Sequence, residues 1–95
     1  MQIEYDQAKR DKTLVKRGLD FARAGEVFAG PTLDLPDDRS DYGEPRVISF
    51  GVLDDRMVVL VWTERKSARR IISMRKANER EFRTWASCSP RQAPT

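Results

Sequence analysis

Apolar residues occur in short blocks whose spacing changes along the chain. In "QIEYD", Ile3 and Tyr5 alternate with Gln2, Glu4 and Asp6, the period of a half-exposed strand. The spacing then lengthens. Asp6 is placed to cap a helix over "QAKRDKTLVKRG", which Gly18 ends behind Lys16 and Arg17, cations suited to a helix C-terminus. Asp20 caps a second helix, "FARAGEVFAG", where Phe21, Ala24, Val27 and Phe28 form one apolar stripe before Gly30-Pro31. The polar run "PTLDLPDDRSDYGEP" is rich in turn residues and reads as the longest irregular loop. Three strands follow, "RVISFGVL", "RMVVLVWTER" and "ARRIISMRKA", joined by tight turns at Asp54-Asp55 and Lys66-Ser67. "MVVLVW" is apolar on both faces, as expected at the centre of a covered sheet. A last helix opens at Ala77 or Asn78 and runs through "EREFRTWAS", with Phe82 and Trp85 on one side.

The predicted order is β-α-α-β-β-β-α, an α+β fold. Two helices cover one face of a small antiparallel sheet, and the last lies at an edge or on the other face. One domain is expected over residues 1–86, with a flexible tail over 87–95. A two-residue turn at Lys66-Ser67 sets Trp62 opposite Ile71 and Glu64 opposite Arg69. Leu60, Trp62, Glu64, Arg69, Ile71, Ser73 and Arg75 then share one face. The other carries Val59, Val61, Thr63, Arg70, Ile72 and Met74; being more apolar, it is expected to meet the helices. A turn one residue longer would set Glu64 opposite Arg70 instead.

Composition narrows the chemistry. Hydrophobic content is 39%, charged content 35% and the formal net charge +3, a mild excess compatible with a polyanion ligand. The single cysteine, Cys88, rules out an internal disulfide and suits a reducing cytosol. The chain has no histidine, so a proton must be moved by another group. No Cys/His cluster or calcium-loop spacing points to a metal, no cofactor is implied, and no run is long and apolar enough to span a membrane. A cytoplasmic location is expected.

The strings "YDQAKRDK", "VKRGLDF", "EVF", "DDRSDYGEPRVISFG", "VWTER", "RIISMRKA" and "NEREF" occur in this order through most of the chain. In combination they resemble the BrnT toxin family, small ribonucleases of type II toxin–antitoxin pairs with a RelE-like fold. The resemblance implies an RNA substrate and a small DNA-binding, BrnA-like antitoxin. The two would form a hetero-oligomer that reaches operator DNA through the antitoxin. Metal-free RNA cleavage uses the ribose 2′-OH against the adjacent phosphate, and fixed cations stabilise the charge that gathers there. On that basis Glu64, Arg70, Arg75 and Lys76 are candidate catalytic residues, and Arg65, Trp62, Lys9, Arg17 and Tyr42 are candidate RNA contacts. Glu64 is the first choice of general base, Lys76 the second and Tyr42 the third. The chain departs from the family pattern at two positions. Arg17 stands where histidine is common, and Met74 where alanine often stands. Arginine cannot serve as a proton acceptor in that histidine's place. The alternative function is a catalytically weak or silent antitoxin-binding module acting as co-repressor.

Overall fold

A computed structural model describes residues 2–39 and 41–88, with side chains through residue 84. The elements are β1 (Gln2–Tyr5), α1 (Gln7–Arg17), a 3-10 turn (Phe21–Arg23), α2 (Ala24–Ala29), β2 (Leu33–Pro36), β3 (Val47–Leu53), β4 (Arg56–Arg65), β5 (Ala68–Lys76) and α3 (Glu79–Cys88). The α+β class holds. α3 includes Ser87 and Cys88, which were expected to belong to the tail; the remainder of that tail lies outside the described residues.

The local signals explain the element boundaries. Asp6 accepts a hydrogen bond from the Lys9 amide at the start of α1. Gly18 ends α1 at φ 70°, a left-handed conformation that glycine adopts without a Cβ penalty. Asp20 caps the 3-10 turn through the Ala22 amide, and both its oxygens accept from Arg10 on α1, at 2.9 and 3.0 Å. Asp54 and Asp55 both have positive φ, as a type I′ hairpin turn requires. Asn78 and Glu81 close a reciprocal capping box on α3, each side chain accepting from the other's amide.

Two expectations about the sheet are corrected. The strand order is β1-β5-β4-β3-β2, and β1 runs parallel to β5, so the sheet is mixed rather than purely antiparallel. "LDLP", expected within a loop, is an edge strand paired with Val47–Phe50. Its alternation is hidden among Pro and Asp, and its pairing groups are backbone atoms that side-chain patterning does not display. The central strand is β4, as its apolar run predicts.

The hairpin register has Trp62 opposite Ile71 and Glu64 opposite Arg69, as the two-residue turn requires. Beyond it a bulge intervenes: Val61 pairs with Ser73, so Ile72 has no partner. One extra residue inverts the alternation, and Met74 joins Leu60 on one face while Ser73 and Arg75 turn to the other. The covered face also differs from expectation. The main core joins Phe21, Ala24 and Val27 to Leu60, Trp62, Ile71 and Met74, so the helices pack on the Trp62 face. A smaller cluster of Phe50 and Val59, with Ile48 and Met57, lies on the opposite face. Gly51 makes the close approach of α2 possible. A Cβ there would stand 2.5 Å from Val27 Cγ1.

Candidate functional site

The nine candidate residues separate into three places. Arg69 and Arg75 are six residues apart along β5, roughly 20 Å at strand rise, so the hairpin end and the α3 end cannot meet one phosphate. Glu64 and Arg75 were expected to share a face; the bulge at Ile72 puts them on opposite faces of the sheet instead.

At the α3 end, Arg75 is committed to Glu81 in a two-pronged ion pair, at 2.7 and 2.6 Å. The bond to Arg75 holds the Glu81 carboxyl below the usual range, with the Asn78 amide pulling the same way, and it raises Arg75 in turn. Lys76 is exposed and lines a shallow recess with Arg56, Met57 and Phe82.

At the hairpin end, Arg70 donates to Glu4 on β1 at 3.1 Å, an ion pair set by the parallel register. Arg65 donates to Glu44 at 3.3 Å. Tyr42 lies under the Arg46 guanidinium, 3.9 Å from its ring centre, in the β2–β3 loop. That loop bonds the hairpin end through Thr63, whose hydroxyl donates to the Pro45 carbonyl at 2.6 Å. Glu64 is exposed and has no hydrogen-bond or ion-pair partner among the described residues. Trp62 was expected on an open face but is 6% exposed. Its Nε1 donates to the Ser49 hydroxyl at 2.7 Å, and Ser49 donates to Asp34 at 2.7 Å. Phe28 packs edge-on to it, with ring centres 5.6 Å apart. Trp62 is thus a fixed platform rather than a free stacking surface, and Arg69 covers it.

The third place is a groove between α1 and β5, about 290 Å³ in volume. Because β1 pairs only with residues 68–71 of β5, β1 offers no partner to the edge beyond Ile71. α1 runs beside that free edge, and Arg17 Nη1 donates to the Met74 carbonyl at 3.0 Å. The two departures from the family pattern are therefore in direct contact. Lys9, Lys12, Thr13 and Lys16 recur at helical spacing and line the groove with Arg17, opposite Ile72 and Ser73. The lining holds four cations and no carboxylate. Lys9, Lys12 and Lys16 make no ion pair among the described residues. Of these, Lys12, Thr13, Lys16 and Ser73 were not among the candidates. The spacing of the three lysines is visible in the sequence, but the strand edge they face is not.

No group of three or more His, Cys, Asp or Glu side chains that could hold a metal gathers among the described residues. No helix among them is long and apolar enough to cross a membrane.

Residues 5–81 match the family model described as ribonuclease toxin, BrnT, of type II toxin–antitoxin system. No curated protein matches the chain. With most of its length matched, the chain belongs to the BrnT family of ribonuclease toxins.

Proposed function

We propose that this chain is a metal-independent endoribonuclease that holds its RNA along β5. The α1–β5 groove grips the backbone phosphates, and Glu64 takes the proton at the hairpin end. The observation that carries this reading is the groove itself: four cations on one wall, no acid among them, beside the stretch of β5 that β1 leaves unpaired. Lysines at this spacing repel one another, and a polyanion relieves that repulsion. In the reaction the 2′-oxygen attacks the adjacent phosphorus and the bond to the 5′-oxygen breaks. Glu64 accepts the 2′-OH proton, and the leaving oxygen is protonated from water. The products are a 2′,3′-cyclic phosphate and a 5′-hydroxyl. Glu64 suits the role because it is exposed and unpaired.

A RelE-like architecture, a cytoplasmic location and a DNA-binding, BrnA-like antitoxin complete the reading. An acidic segment of that antitoxin would neutralise the groove and exclude RNA. The test is cleavage of RNA by the purified chain in excess EDTA, with end-group analysis for the cyclic phosphate. Glu64→Gln is expected to lower the rate about a hundredfold while RNA binding is kept. A folded wild type that cuts no RNA overturns the enzyme reading.

One observation favours the second reading, a silent antitoxin-binding co-repressor. Arg17 occupies the family's histidine position, and its guanidinium is spent on the Met74 carbonyl. Growth arrest on expression without the antitoxin separates the two, because a silent module leaves the host indifferent.

A further inference from the structure

Arg69 is the sheet arginine whose guanidinium rests on aromatic rings. Its guanidinium carbon lies 4.1 Å from the centre of the Trp62 ring and 4.5 Å from that of Phe28. The two rings meet at 74°, so the guanidinium is held against both. Trp62 is itself anchored through Ser49 to Asp34, and Phe28 is carried by α2. The platform under Arg69 is therefore built from two helix-covered strands, an edge strand and a helix.

Arg46, Arg65, Arg70 and Arg75 all have carboxylate partners. Arg69 has none among the described residues, although Glu64 is opposite it in register. Ring faces take up the flat sides of a guanidinium and leave its N–H edge available. An arginine that is half-buried, fixed in orientation and without an acceptor is a preorganised fork for a planar pair of oxygens. Trp62 also helps line a recess of about 180 Å³ with Pro45, Val47, Thr63 and Glu64.

Resting on the RNA assignment above, we propose that Arg69 binds the phosphodiester on which Glu64 acts, through the N–H edge left open by Trp62 and Phe28. The cations of the α1 groove hold flanking phosphates. Arg69 then stabilises the charge that develops on the non-bridging oxygens, and Glu64, its cross-strand neighbour, faces the attacking hydroxyl.

The probe is a 2′-O-methyl oligoribonucleotide, which carries the phosphates and lacks the nucleophile. Its binding to the full chain is measured across a salt series. Arg69→Met keeps an unbranched stem against the two rings and loses the fork. The expected result is an affinity about tenfold lower and a salt slope smaller by about 0.7, the share of one phosphate on a single strand. Arg69→Lys keeps the charge and is expected to preserve the slope while losing affinity. If Arg69→Met does not fold, Arg69→Lys decides alone: lower affinity at constant slope supports the assignment, and wild-type affinity overturns it. Unchanged affinity and slope in Arg69→Met overturns it as well. In that case a Lys9→Gln, Lys12→Gln, Lys16→Gln variant that still weakens binding leaves the groove standing. A wild type that does not bind the probe overturns both assignments.

Discussion

The lysines of α1 and the arginine near the end of β5 carry like charges into opposite circumstances. Lys9, Lys12 and Lys16 share one helix face with no acid in the groove they line. Arg75 meets Glu81 through two bonds, and Glu81 also closes the cap of α3. The first arrangement costs a few tenths of a kcal/mol for each like-charged pair, and the second stabilises the attachment of α3. Cation count therefore does not rank the two regions. What ranks them is whether the fold has already supplied a counter-charge. In the proposed reading, a cation without one is left for a ligand, and a cation with one holds the structure together. The hairpin end repeats the contrast within adjacent residues, since Arg70 is paired with Glu4 while Arg69 rests on aromatic faces.

The strongest challenge to this division is the simultaneous change of Lys9, Lys12 and Lys16 to Gln. RNA cleavage should fall about a hundredfold, because three phosphate contacts are lost, while the melting temperature stays level or rises. A fall in melting temperature would place the lysines among the structural charges.

Glu81→Gln probes the other region. Chemical denaturation should show a loss of about 1–2 kcal/mol from the weakened cap and ion pair, with cleavage per folded molecule little changed. A pH series refines that result. The folded Glu81 carboxyl is held below its unfolded value by Arg75. Its contribution is thus full above the unfolded value, about 4.3, and fades as pH falls through the lower folded value. The stability gap between wild type and Glu81→Gln should narrow over that acidic window and stay constant near neutrality. The smallest effect is expected from Glu4→Gln. That pair is partly exposed, so its removal should cost about 0.5 kcal/mol or less by the same denaturation measurement.

Much of the fold is legible in the linear order. Asp6, Gly18 and the Asp54-Asp55 turn act within a few residues of themselves, and each does what its local chemistry predicts; Asp20 caps a 3-10 turn rather than the single helix expected over "FARAGEVFAG", and α2 starts only at Ala24. The apolar run of β4 announces a central strand, and the lysine spacing on α1 announces a charged helix face. The RNA-cleaving family is legible as well, through the order of its strings. Less of the site could be read this way. Glu64, Arg70, Arg75 and Lys76 look alike as polar residues on two strands, and nothing nearby in sequence says which will be paired.

Three things were settled only in three dimensions. The unpaired Ile72 inverts the alternation of β5 and sends Arg75 away from the Trp62 face. The parallel pairing of β1 stops at Ile71 and leaves an edge for α1 to flank. The partners of the cations come from far along the chain, Glu4 for Arg70 and Phe28 with Trp62 for Arg69. The reason is common to all three. Caps, turns and periodicity are short-range and are written in neighbouring residues. Register, edge exposure and counter-charge depend on which distant strands and helices come together.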